Sequence, residues 1–198
     1  ENTGNVGRNL SIPGLYHINN ANSVTNTYNV QNREMHSLYA MGQIGYRHFL
    51  YLDLSARNDW SSTLGVGNES FFYPSASLSF VLTDAFNLES SLLTLARLRA
   101  SYAETGNDTW PYRTKAGYNL SSTDYNGVRL ATVPGTIPLT GLKNELTKSW
   151  EFGADLVLLD NRLSIDFAAY FASTYNQIFN VPVSTTTGYG SRLINAGQ

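Results

Sequence analysis

From residue 34 onward the apolar positions of the chain recur every second residue in a series of separate runs. After a polar start at Glu34, Leu38, Ala40, Gly42, Ile44 and Tyr46 fall on one side, with Ser37, Tyr39, Met41, Gln43 and Arg47 on the other. That period of two is the mark of a strand with two unlike faces. The pattern resumes after Arg47-His48-Phe49 with Leu50, Leu52, Leu54 and Ala56 opposed to Tyr51, Asp53, Ser55, Arg57 and Asp59, so a tight hairpin joins the two runs. A third strand is expected from about Phe72 to Leu82, with Pro74 near its start because proline cannot donate to a ladder. Residues 83–93 suit a short turn of helix. Ala96, Leu98, Ala100 and Tyr102 then alternate with Arg97, Arg99 and Ser101 in a fourth strand. Trp150 to Leu158 and Leu163 to Phe171 give a fifth and sixth around the turn at Asp160-Asn161, and a seventh begins near Arg192.

Glycine, proline and polar residues mark long loops at 58–71, 104–146 and 175–190. The middle one far exceeds the usual ~12 to 15 residues, and loops of that size are usually functional. Short and long connections alternate, which puts every long loop at one end of an antiparallel up-and-down meander. Strands of about ten residues with one apolar and one polar face fit a transmembrane β-barrel. A soluble β-sandwich has the same alternation. Two features favour the barrel: the polar face carries Ser, Asp, Arg and Tyr rather than Lys and Glu, and aromatic residues end the apolar face. Tyr46 and Phe49 lie near a short turn, Tyr102, Trp150 and Phe171 near the long loops.

If Asp160-Asn161 is a two-residue turn, Leu158 meets Leu163, Leu156 meets Ile165, Ala154 meets Phe167 and Trp150 meets Phe171 on the apolar face. The other face then sets Asp155 against Asp166, a repulsive pair that needs a cation. Arg97 and Arg99 are expected to supply it. Facing carboxylates also suit a glycosidase, but no cleft-forming loop surrounds this pair.

Composition narrows the field. The 198 residues hold 13 Lys+Arg, 15 Asp+Glu and no Cys, and only 14% are charged against roughly 25% in an ordinary soluble domain. Net charge −2 without a basic cluster gives no footprint for nucleic acid. The lack of Cys excludes disulfides, thiol nucleophiles and Cys-based zinc sites. His17, His36 and His48 stand in separate segments without metal-ligand spacing, no nucleophile elbow or phosphate loop is present, and we expect no enzyme, no metal and no cofactor. No apolar run approaches the roughly 18 residues of a spanning helix. Neither a signal peptide nor a natural terminus is visible, and we expect a fragment.

Several blocks resemble one family. Arg57-Asn58-Asp59-Trp60-Ser61-Ser62-Thr63-Leu64 and Phe72-Tyr73-Pro74-Ser75-Ala76-Ser77-Leu78-Ser79-Phe80 are similar to the barrel signature of the SusC/RagA family of TonB-linked outer membrane transporters of Bacteroidetes. Leu98 to Asp108, Thr147 to Gly153, Asn161 to Tyr170, Asn176 to Phe179 and Ile194 to Gly197 continue it over residues 38 to 198. The resemblance implies an all-β, antiparallel meander forming part of a 22-stranded transmembrane barrel in the outer membrane. Residues 1–33 would be an extracellular loop segment, and 34–198 about six full strands and the start of a seventh. The plug domain, and with it the segment that meets TonB, is expected to be absent from these residues. The implied function is import of glycan oligomers or peptides with a SusD-like lipoprotein, the barrel sitting among outer membrane lipids. The alternatives are a secreted soluble carbohydrate-binding or adhesin module, or a barrel of another outer membrane channel family. Expected lumen-facing residues are Tyr51, Asp53, Arg57, Arg97, Arg99, Glu151, Asp155, Asp166 and Tyr170; Trp60, Trp110 and Tyr112 are expected near substrate.

Overall fold

A computed structural model describes residues 2–88 and 90–197, and the chain divides into two compact units, 1–33 and 34–198. The first is a hairpin of β1 (Asn2–Leu10) and β2 (Ala21–Asn29). Its connection is gathered by the buried Asn20, whose amide donates to the Ile12 and Leu15 carbonyls at 2.9 and 2.8 Å and accepts from the Ile12 N–H at 3.0 Å. The segment expected as loop thus contains an antiparallel ladder.

The second unit runs β3 (Met35–Tyr46), β4 (Leu50–Ser61), β5 (Ser70–Val81), α1 (Leu82–Phe86) and β6 (Leu93–Asn107). It continues through β7 (Asn119–Tyr125), β8 (Val128–Thr132), β9 (Thr136–Ile137), β10 (Glu145–Leu158), β11 (Leu163–Tyr175), β12 (Gln177–Pro182) and β13 (Ser191–Ala196). Six of these form one antiparallel sheet in the order β11-β10-β6-β5-β4-β3, an up-and-down meander that is not closed on itself. Long connections after β4, β6 and β11 share one end, and those after β3, β5 and β10 the other.

The last hairpin has the register expected from its turn: Leu158 pairs with Leu163, Trp150 with Phe171 and Asp155 with Asp166. Asp160 and Asn161 have φ of 51° and 67°, the left-handed values that a type I′ turn requires. Leu159 shares that region at 56°, and its N–H and that of Asp160 donate to the Leu92 and Ser91 carbonyls.

The strands outrun their expected ends. Residues 58–61 belong to β4 and 104–107 to β6, so the first loop shortens to 62–69. The long loop between β6 and β10 holds the β7–β8 hairpin and β9. The strand expected near Arg192 exists as β13, but it joins β12 and, in parallel, β9 in a separate three-stranded sheet and does not extend the six-stranded one.

Pro74 marks where the ladder parts. Pairing of β5 with β6 starts at Ser75 and Ala103, while residues 70–74 pair with β4 alone. A residue without N–H sits at the limit of the pairing, as its chemistry demands. Tyr73 occupies the parting, packed with Phe71, Leu64 and Leu146 in a small core. It lies so close to Gly106 that a Cβ there would fall 2.2 Å from the Tyr73 ring. Gly106→Ala should therefore destabilise the full-length protein by about 1–3 kcal/mol through overpacking, whereas Gly117→Ala, with open space around it, should leave the thermal unfolding midpoint unchanged.

Candidate functional site

The register carries one parity through all six strands. Tyr46, Leu50, Phe80, Leu98, Ala154 and Phe167 form one continuous cross-strand row, and Ile44, Leu52, Leu78, Ala100, Phe152 and Ala169 the next. Among the described residues of the sheet this face is largely open: Phe167 is 65% exposed, Ile44 62% and Leu98 46%. A contiguous exposed apolar face of this kind marks a surface made for lipid or for another apolar partner rather than for water.

Aromatic rings bracket it. At the short-turn end Tyr46, Phe49, Phe80 and Phe86 form a chain of edge-to-face contacts with centroids 5.6, 5.8 and 6.2 Å apart. At the other end Tyr102 and Trp150 lie 4.6 Å apart. Polar groups begin immediately beyond: the Tyr102 hydroxyl donates to Glu104, and Lys148 Nζ lies 3.2 Å from the same carboxylate and over the Tyr175 ring.

The opposite face collects Tyr51, Asp53, Arg57, Arg97, Arg99, Glu151, Asp155, Asp166 and Tyr170. Asp155 and Asp166 face each other, and both expected cations reach them. Arg97 Nε donates to Asp155 Oδ2 at 2.6 Å, while Arg99 spans the pair with Nη1 3.2 Å from Asp155 Oδ1 and Nη2 2.7 Å from Asp166 Oδ1.

Arg99 reaches so far because its cross-strand partner is Gly153. A Cβ on Gly153 would lie 2.2 Å from Arg99 Nε and 2.7 Å from its Cγ, so the side chain crosses β10 through the space a methyl group would fill. The same face holds Gln43 hydrogen-bonded to Asp53 at 2.6 Å, and Arg57 bound to Asp59 at 2.6 Å and to Ser37 at 3.1 Å. Glu151 and Tyr170 are exposed.

Polar side chains, more than apolar ones, shape the long-loop end. Asp108 accepts from Ser61 at 2.6 Å and Thr63 at 3.0 Å, fixing the start of the long loop to the end of β4. Asn195 meets the backbone of Lys143 with both ends of its amide, at 2.9 and 3.0 Å, and also donates to the Asn176 carbonyl. Gly65 must be glycine: its N–H donates to Leu142, and a Cβ would fall 2.2 Å from the Thr140 carbonyl oxygen. Leu142 and Leu193 are fully buried there.

Between these loops lies a half-open cavity of about 870 Å³. Tyr112 lines it, together with Arg113, Lys115, Tyr118 and Glu69. Trp60 and Trp110 do not. Trp60 lies within β4, on the parity of the apolar face and opposite His36 and Ser70, and Trp110 is 72% exposed. Tyr118 is one of the loop aromatics that the sequence offers for stacking on a solute, whereas Arg113 and Lys115 carry no such signal, because nothing in their spacing shows that loops some fifty residues apart converge on them.

An open antiparallel meander with one uncovered apolar face, two aromatic girdles and a charged, hydrogen-bonded opposite face is a strip of a large transmembrane β-barrel. The chain belongs to the TonB dependent receptor-like β-barrel family, whose profile matches residues 2–198. It is 29% identical over 172 residues to TonB-dependent receptor P3 of Formosa agariphila, covering 83% of this chain and 17% of that protein. It is 30% identical over 164 residues to TonB-dependent receptor P39 of the same organism, covering 82% and 16%. The chain thus spans about a sixth of the length of these relatives. Among solved structures it resembles the RagAB peptide transporter, with 26% identity and TM-score 0.79 over 90% of this chain and 20% of that one. The RagAB peptide importer in its open-open state gives a TM-score of 0.76 at 26% identity, covering 90% and 19%. The family likeness reaches further toward the N-terminus than residue 38, where the resemblance of the motif blocks is expected to begin.

Arg99→Ala should leave two facing carboxylates with Arg97 alone, destabilising the protein by about 1–3 kcal/mol. Adding Asp166→Asn should recover part of that loss, a coupling that a double-mutant cycle on unfolding free energies would read directly. Gly153→Ala should reproduce the Arg99 defect, with little further loss when the two are combined.

Proposed function

We propose that this chain is a sector of the barrel wall of a TonB-dependent outer membrane importer of a Bacteroidetes-like bacterium. The observation that carries the reading is the apolar face, continuous over six strands and bounded at both ends by aromatic rings. It lies against outer membrane lipid. The apolar residues Trp150 to Leu158 extend ~27 Å along β10 at ~3.4 Å per residue, a span that a strand tilt of about 40° brings near the height of a bilayer-facing band. The opposite face lines the lumen, with Tyr51, Asp53, Arg57, Arg97, Arg99, Glu151, Asp155, Asp166 and Tyr170 toward the plug and any passing solute. The connections after β3, β5 and β10 lie on the periplasmic side. The longer ones, with residues 1–33, lie outside the cell.

The importer works on oligomeric nutrients, glycan oligomers or peptides, with a SusD-like lipoprotein as outer partner and TonB as the source of energy. The likeness to a peptide importer solved in open-open and closed-closed states supports this reading. Tyr112, on the cavity between the outer loops, is the substrate contact of this sector.

A charge on each face tests the arrangement. In the full-length receptor in lipid vesicles, Leu98→Arg should cost about 2–4 kcal/mol, the price of a cation near the bilayer midplane. Ser77→Arg, on the opposite face between Asp53 and Ser101, should shift urea unfolding by less than about 1 kcal/mol. Equal effects at the two positions would refute the assignment of faces.

A further inference from the structure

We infer that the cavity between the outer loops is a recognition site for carboxylate groups on the imported oligomer, an inference that rests on the importer reading above. The long loop is electrically unlike the rest of the chain. Residues 108–144 carry Arg113, Lys115, Arg129 and Lys143 against Asp108 and Asp124, a surplus of two positive charges in a chain of net charge −2. Two of those cations, Arg113 and Lys115, line the cavity.

The one carboxylate in the lining does not neutralise them. Glu69 Oε2 accepts the Gly67 N–H at 2.8 Å, bound back into its own loop. Arg113 spends two of its five N–H donors on Thr109 Oγ1 at 3.0 Å and Asn180 Oδ1 at 3.4 Å. Those bonds hold its guanidinium in place. Lys115 is exposed and forms no ion pair among the described residues. A held guanidinium and a free ammonium two residues apart, flanked by the Tyr112 and Tyr118 rings, form a receptor for an anion attached to a flat or extended body.

The volume suits a few residues of an oligomer rather than an isolated ion, since pockets for small ligands run to roughly 300–1,000 Å³. The anion that peptides and glycans share is a carboxylate: the C-terminus or an acidic side chain of a peptide, or the uronate of an acidic glycan. The site therefore selects acidic oligomers from the neutral pool, at the mouth and before any transport step.

The test uses the full-length receptor in detergent and two pairs of probes that differ only in charge. These are N-acetyl-tetraalanine against its C-terminal amide, and tetragalacturonate against its methyl ester. Calorimetry should show at least one carboxylate probe binding about tenfold more tightly than its neutral counterpart, with the preference shrinking as salt rises. The pair that shows it names the source of the carboxylate. Lys115→Glu, which sacrifices no ion pair of the fold, should abolish the preference, while Lys143→Glu, outside the cavity, should keep it. Charge-independent binding of both pairs, no binding of either carboxylate probe, or a preference that survives Lys115→Glu would overturn the inference. None of those results bears on the membrane assignment, which stands or falls with the Leu98 and Ser77 variants.

Discussion

Every other feature of this wall depends on one constraint, a single side-chain parity held across six strands. A strand exchanges its two faces if pairing slips by one residue, so a slip anywhere would set aspartate and arginine among lipid tails. Two tight turns oppose such a slip. The Asp160-Asn161 turn fixes one hairpin through its left-handed backbone, and Arg47 and His48, with φ of 46° and 60°, fix another. A register shift between Val157 and Leu158 lies at the last residues before the turn, where it displaces little of the apolar band. Paired this way, the backbone amides and carbonyls of the inner strands are satisfied within the sheet across the apolar band, as a hydrocarbon environment requires.

What was legible in the sequence follows from the same constraint. The six strands and the Asp155–Asp166 pairing could be read because lipid demands strict alternation, and alternation is visible in one dimension. Arginines 97 and 99 could be assigned to that pair by charge alone. Gly153 could not, although the signal was present: a glycine directly across from an arginine that must reach past it. The β1–β2 hairpin left no trace because both its faces are polar, so Asn, Thr and Gly alternate with one another. Trp60 was misjudged as a loop residue because a strand that has left the apolar band loses its period while keeping its hydrogen bonds.

The outer loops are a different kind of structure. A segment as long as 108–144 would ordinarily need its own apolar core, yet here few leucines are fully buried and polar side chains make the joints. Asp108 ties the loop's first residue to β4, and Asn195 ties its end to β13. Glu145 receives the Ile178 N–H at 2.9 Å and so joins the base of β10 to β12. These joints are specific in direction but modest in strength, about 0.5–1.5 kcal/mol each. The loops can therefore vary in sequence between the joints while the arrangement of the joints keeps its shape.

The parting at Pro74 gives the wall two mechanical regimes. Below it β5 is held on both sides, and to move there would break two ladders at once. Above it residues 70–74 hang from β4 alone, with the Tyr73 ring standing where backbone hydrogen bonds would otherwise be. An aromatic wedge resists compression yet forms no directional bond with the strand beside it. The rim on the β4 side can thus flex against the rim on the β6 side while the membrane-embedded staves stay in register, so that a force on the mouth would be felt as bending of the lip and not as strain on the seal.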